Sequence, residues 1–367
     1  MKYSYRIAAT AVGCVLGAGF LSGQELISFF GAFGVWGLVG TAVAALFFYL
    51  TVSTLLSLAQ ALGAVGTDRL VLFFRFPAAR VCLLGFEVLF LFLIYVLMIA
   101  AAGSLLQEML GLPTLFGNLL FCLLTVLCAL FGIRGLVRIF AWLVPPLALA
   151  ALAVAGVAIV GQGIALAPPT PPSLAFIPSA IVYVSFNIVC SIPLLAPVGK
   201  EAPDKRSIRI GTALAALVLT LIALFILLAL SGREALAESD LPMLALAETL
   251  SPALGILYAC LLFGGIFSTG FSTMTALGSY CTDRFGLNRP KTALVLGVLS
   301  LLGMLIARSG FRELVGFFYP VFGYLGLVPL LLLFLHALIR RFKKGNKRNK
   351  DEESGQEFSG NQENTQV

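Results

Sequence analysis

Gly13-Cys14-Val15-Leu16-Gly17-Ala18-Gly19-Phe20-Leu21-Ser22-Gly23-Gln24-Glu25 lies in the first long apolar stretch of the chain and governs the reading of the rest. Glycine inside a helix costs about 0.5–1 kcal/mol relative to alanine. Gly13, Gly17, Gly19 and Gly23 therefore need a purpose. Close helix packing is one, since Gly13/Gly17 and Gly19/Gly23 each satisfy the small-xxx-small spacing. A helix broken at 17–23 is the other, with freed carbonyls and amides lining a polar site in mid-membrane. Ser22, Gln24 and Glu25 favour the break, because polar groups at that depth call for water or a ligand.

The surrounding composition makes the membrane reading firm. Of 367 residues, 60% are hydrophobic and 11% charged, and mean hydropathy is +1.02. Soluble chains carry about a quarter charged residues. A helix crosses a bilayer in about 20 apolar residues. On that measure the chain reads as an all-α polytopic protein with spans near 6–31, 34–60, 80–109, 113–132, 136–162, 174–198, 207–231, 252–281, 291–307 and 311–340. A barrel would alternate apolar and polar residues, and these stretches do not. The first stretch shows no clear cleavage site and reads as a retained span rather than a signal peptide.

Charge supplies the orientation. With the N-terminus inside, every one of the 24 Lys and Arg except Arg233, Arg308 and Arg312 falls on the cytoplasmic side. This is the positive-inside pattern of an inner-membrane protein with both termini cytoplasmic. It explains the net charge of +7 without nucleic acid. The seven cysteines lie in or beside apolar stretches, form no CxxC and pair with no His at metal spacing, so they read as packing residues. No HExxH or nucleophile elbow is present, and an enzyme is not expected. The outside segment 232–251 alternates charge with Leu and Ala and reads as a surface helix or lid.

The chain divides into a first five-span half, 1–165, a second, 166–342, and a polar, disordered tail, 343–367. Pro168-Pro169-Thr170-Pro171-Pro172 separates the halves. Five spans per half invert the second relative to the first, as in inverted-repeat transporters. The first span of the second half holds Ser179, Tyr183, Ser185, Phe186, Asn187 and Ser191 between Pro178 and Pro193. This suits a second break, with a proline-kinked packing helix as the alternative. In the eighth span, Ser268/Ser272 and Thr269/Thr273 share faces at i, i+4 and could hold a small cation, or could bond their own i−4 carbonyls. Glu25 and Glu87 are candidates for gating or proton transfer. Tyr95 could reach a central solute, and packs equally well.

Gly17–Glu25, Tyr183-Val-Ser-Phe-Asn-Ile-Val189 and Pro197-Val-Gly-Lys-Glu201 resemble the YkvI-like bacterial membrane proteins of the amino acid/polyamine/organocation superfamily, which has the LeuT fold. The resemblance covers the ten spans and not the tail. It implies a 5+5 inverted repeat with helices 1 and 6 broken. It implies a secondary transporter of a small solute, an amino acid or related zwitterion, coupled to sodium or protons. Solute would sit against Gly17, Ala18, Gly19, Ser185, Phe186 and Asn187, with Tyr95 in reach. A sodium ion would lie on the carbonyls of Gly13, Leu16 and Gly265 and the hydroxyls of Ser268 and Thr269. No other cofactor is implied, and the partners are a small-molecule solute and the bilayer. A non-transporting, ligand-sensing subunit, such as a spore germinant receptor component, is the rival function.

Overall fold

The computed structural model describes residues 2–64, 66–73, 76–131, 144–164 and 174–363, with the side chains at 131, 144, 234, 237, 283, 284 and beyond 342 outside the description. Arg75, Arg134, Arg138 and Pro168–Pro172, used above for orientation and for dividing the chain, lie outside the described residues. Every described element is helical.

The first stretch is in pieces: α1 (Lys2–Val15), α2 (Ala18–Leu21) and α3 (Gln24–Phe30), followed by a 3-10 turn at Gly31–Phe33. Next come α4 (Val35–Leu62), the short α5 (Thr67–Val71), α6 (Pro77–Leu110), α7 (Thr114–Phe131) and α8 (Val144–Gln162). The second half holds α9 (Phe176–Lys200), α10 (Lys205–Leu230), α11 (Glu234–Ala237), α12 (Pro242–Leu250), α13 (Pro252–Phe285), α14 (Arg289–Ala307) and α15 (Phe311–Glu363). Helix is thus present in each of the ten apolar stretches. Eight described helices are long and apolar enough to cross a membrane unaided. Leu46, Leu149, Val160, Leu217 and Leu331 stand exposed on their outer faces, as expected of lipid-facing surface.

Caps explain several starts. The Asp204 carboxylate accepts from the Ser207 amide at 2.6 Å and opens α10. That bond holds the Asp204 carboxyl below the ordinary aspartate range. The Asn288 side chain accepts from the Lys291 amide and opens α14.

Packing divides the helices into two groups. α1 lies on α9 and α10, and α4 lies on the same two helices. α6, α7, α13 and α14 pack on one another. α15 covers α9. α9 is the most enclosed of the spanning helices.

Two expectations need correction. The sixth stretch is not broken: α9 is one continuous helix with Pro193 and Pro197 inside it. Two of its polar side chains bond back within the helix. Asn187 Nδ2 donates to the Tyr183 carbonyl at 3.1 Å and Ser191 Oγ to the Asn187 carbonyl at 2.6 Å. Such back-bonding keeps polar side chains inside a continuous helix, and membrane helices tolerate proline without breaking. The segment 232–251 is also more than a surface lid. Met243, Leu244, Leu246 and Ala247 of α12 are fully buried.

Candidate functional site

The break in the first span is built by two glycines. Gly17 is extended (φ −89°, ψ 179°), so its amide turns to the Val15 carbonyl at 2.7 Å instead of continuing the helix. Gly23 sits at φ 83°, a left-handed conformation that side chains other than glycine rarely adopt. The chain leaves α2 there and starts α3 in a new direction.

Carbonyls freed on the C-terminal side of the break are taken up locally and by two other elements. The Ser22 Oγ donates to the Gly19 carbonyl at 3.0 Å. The Tyr258 hydroxyl, from α13, donates to the Leu21 carbonyl. The Met243 amide, from the start of α12, donates to the Ser22 carbonyl at 2.9 Å. The pieces of the first span are therefore pinned by two elements that follow it by more than 200 residues. Removing the Tyr258 hydroxyl should cost about 1–3 kcal/mol, the penalty for an orphaned buried carbonyl. Tyr258→Phe is thus expected to lower the thermal midpoint and to speed amide exchange at residues 21–25. Unchanged exchange there would show that the bond does not hold the break.

Glu25 follows directly. It is 3% exposed, in the first turn of α3. The Asn187 Nδ2 donates to its Oε1 at 2.9 Å, joining α3 to the middle of α9. Its Oε2 faces the break: a Cβ on Gly19 would lie 3.0 Å from that oxygen and 2.5 Å from the Tyr319 hydroxyl of α15. Only glycine fits at 19 as the structure stands, because the Tyr319 hydroxyl and Glu25 Oε2 already crowd the place where a side chain would begin. Aromatic rings close the rest. Tyr319 stacks on Phe186 with centroids 4.0 Å apart, and Tyr183 meets Phe29 and Phe30 edge-on at 5.3 and 5.2 Å. A void of about 30 Å³, lined by Phe20, Tyr183, Asn187 and others, adjoins the cluster. That is room for a water or two. Among the described residues the ion pairs are Arg6–Glu201 and Arg80–Asp68, so no Lys or Arg neutralises Glu25.

The sequence-predicted solute residues divide accordingly. Gly19, Phe186 and Asn187 meet at this cluster, with Gly17 and Ala18 in the break beside it. Ser185 is on α9 too, but its hydroxyl lies against Gly326 of α15. Tyr95 is fully buried elsewhere, its hydroxyl bonded to Thr125 at 2.9 Å and Ser300 at 3.1 Å. This is the packing arrangement of α6, α7 and α14.

Of the cation residues, Thr269 Oγ1 donates to the Gly265 carbonyl at 3.1 Å, the back-bonded alternative. Ser268 is partly buried on the same helix, α13, which meets the first span chiefly at α2. A Cβ on Gly13 would meet open space. Leu16 is buried between α1 and α2. Glu87 accepts from the Tyr280 hydroxyl at 3.0 Å, a separate contact between α6 and α13.

Tyr319, Tyr258 and the Met243 amide were not anticipated. Tyr319 and Tyr258 carried one signal, a hydroxyl inside an apolar span. An amide carries none.

No family model matches the chain. Two proteins of Bacillus subtilis (strain 168) are similar along nearly its whole length. The uncharacterized membrane protein YkvI is 23% identical over 339 residues, covering 92% of this chain and 96% of YkvI. The uncharacterized protein YyaD is 26% identical over 338 residues, covering 90% and 96%. The resemblance to YkvI-like membrane proteins therefore stands. Among solved structures, inward-facing Mhp1 is similar with a TM-score of 0.60 at 14% identity, over 92% of this chain and 76% of Mhp1. Closed Mhp1, a nucleobase-cation-symport-1 family transporter holding bromovinylhydantoin, gives 0.58 at 14% identity, over 85% of this chain and 74% of Mhp1. The Eremococcus coleocola manganese transporter gives 0.51 at 15% identity, over 92% and 85%. The chain thus has the all-helical, multi-pass membrane fold seen in transporters.

Proposed function

We propose that this protein is a secondary transporter of a small solute, an amino acid or related zwitterion, working by alternating access in the bacterial cell membrane with both termini cytoplasmic. One observation carries the reading. The first span is broken at 16–23, inside the protein, and a buried carboxyl stands at the break, bonded to a buried amide from the neighbouring span. A chain that only had to cross the membrane would gain nothing from either feature. Broken helices near the bilayer midplane are where transporters hold solute.

The partner spans support the same reading. The first two spans of one half pack on the first two of the other, and the third and fourth spans of one half pack on the third and fourth of the other. This suits two interlocked five-span halves, 1–165 and 166–342, in which the group α1, α4, α9 and α10 rocks against the group α6, α7, α13 and α14. The continuous α9 removes one source of free peptide groups. Solute is then held by backbone from the first span and by side chains, not backbone, from the sixth.

Coupling is to sodium or protons. Thr269 keeps hydroxyl lone pairs for a cation even while it donates to Gly265, and Ser268, Gly13 and Leu16 complete the set inferred from the LeuT resemblance. Glu25 is the candidate for proton coupling.

Uptake of labelled amino acids into proteoliposomes, with sodium and proton gradients imposed separately, tests the proposal. Gradient-dependent accumulation of at least one solute is expected. Binding without accumulation would favour the ligand-sensing role instead, and neither would end the carrier reading.

A further inference from the structure

A second recess, between α3, α9 and α15, shares only Phe29 with the Glu25 cluster. It measures about 280 Å³, and Phe29, Phe33, Pro178, Val182, Pro320 and Tyr324 supply most of its wall. α9 and α15 run parallel here, since Gly323 faces Val182 and Gly326 faces Ser185. α9 starts at Phe176, and Val182 lies about 9 Å further along it, at about 1.5 Å per residue. The recess thus lies within the first part of α9 to enter a hydrocarbon core about 30 Å thick.

The polarity of the wall decides what it can hold. Ser28, Ser179 and Tyr324 carry its polar side-chain groups, and none of the described lining residues is charged. Two of the three hydroxyls are already bonded. Ser28 Oγ donates to the Gln24 carbonyl at 2.9 Å, and Ser179 Oγ to the Phe29 carbonyl at 2.6 Å. A polar solute would lose its water there and gain little in return. An apolar hollow left empty is also unfavourable, because the atoms around it lack contacts. The neighbouring surface shows what is at hand to fill it. Tyr324 is 60% exposed, and Phe317 and Val328, on the same side of α15, are 63% and 62% exposed. On a spanning helix such an apolar stripe faces lipid, so the recess opens on acyl chains. A tyrosine on a helix leans back toward the helix start. For Tyr324 that is the membrane face, where lipid ester oxygens lie.

We propose that this recess is a lipid site, taking one acyl chain of a bilayer phospholipid whose ester accepts from the Tyr324 hydroxyl. The chain packs on Phe29, whose ring meets Tyr183 edge-on at 5.3 Å. It therefore bears on α3, the piece of the first span that carries Glu25. The site does not depend on what the protein transports, or on whether it transports.

The test uses the full-length protein in phosphatidylcholine vesicles. A small share of the lipid is a phosphatidylcholine with a diazirine in one acyl chain. After irradiation and digestion, mass spectrometry locates the adducts. Those on Phe29, Phe33 and Tyr324 should exceed severalfold those on Leu46, Leu149 and Leu217, which stand exposed on other helices and line no part of the recess. Ala175 is exposed at the rim. Ala175→Trp fills the recess from there, and should lower adducts on Phe29 and Tyr324 severalfold while leaving the three leucines as they were. The wild-type pattern is a test whether or not that variant folds. Equal labelling of the recess and the leucines would mean a lipid annulus only and would overturn the proposal. So would unchanged recess labelling in folded Ala175→Trp. Heavier labelling of Phe29 by a water-soluble diazirine than by the lipid would mark a water-filled recess and also overturn it. A photoactivatable p-benzoylphenylalanine at position 324 that joins two copies of the chain, and not lipid, would overturn it too.

Discussion

Gly19→Val is expected to leave a folded protein whose solute uptake falls about ten- to hundredfold. The site in question is the space over Gly19. A Cβ there would come within 2.5 Å of the Tyr319 hydroxyl and 3.0 Å of the Glu25 carboxylate. Valine adds two further methyl groups in the same direction. The Tyr319 hydroxyl is the end of a side chain and can withdraw, so the fold accommodates the change. The solute cannot, because the added atoms occupy its place. Overpacking of this kind costs about 1–3 kcal/mol, and each 1.4 kcal/mol is a factor of ten in binding. Initial uptake rates in proteoliposomes, normalised to protein that elutes as a single species, measure the effect. Gly19→Ala should fall between wild type and valine. Equal rates in all three proteins would remove the solute from Gly19.

A larger effect on stability is expected at Gly23. Its φ of 83° belongs to the left-handed region, where a β-branched residue is strained by about 1–2 kcal/mol. The position is also crowded. A Cβ would lie 2.7 Å from Leu230 Cδ1 and 3.1 Å from Met243 Cγ. Gly23→Val should therefore destabilise the protein by about 2–5 kcal/mol in all. It should also displace α12, whose first turn donates to the Ser22 carbonyl. Denaturant titration in detergent gives the loss, and a change below about 1 kcal/mol would contradict the geometry drawn for the break.

How much of this was legible in the residues differs from one feature to the next. The apolar stretches were, because a bilayer sets helix length. The break in the first span was also legible, since four glycines followed by Ser22, Gln24 and Glu25 conflict with a plain spanning helix. In the sixth span the same reasoning failed. Ser185, Asn187, Ser191 and Pro193 suggested a second break, yet α9 runs through them. Serine and asparagine in a membrane helix can bond the preceding turn, and Ser191 and Asn187 do so. Glycine made the difference: the broken segment has it, and no glycine falls in α9 before Gly199. The meeting of Asn187 with Glu25, 162 positions away, had no local signal, although both residues were singled out separately. Tyr95 shows the opposite outcome. It is a polar residue in an apolar span whose partners, Thr125 and Ser300, lie on α7 and α14.

Accessibility at Gly17 bears most directly on the proposal that solute reaches the broken first span from either side. Gly17 has φ −89° and nothing nearer to a built Cβ than the Val15 carbonyl oxygen at 4.0 Å, so a cysteine fits. Gly17→Cys, in a chain whose seven native cysteines are serine, can be treated with a membrane-impermeant thiol reagent in vesicles of each orientation. Labelling from both faces, slowed by the transported solute, is the expected result. A cysteine that no reagent reaches from either face, with or without solute, would contradict it.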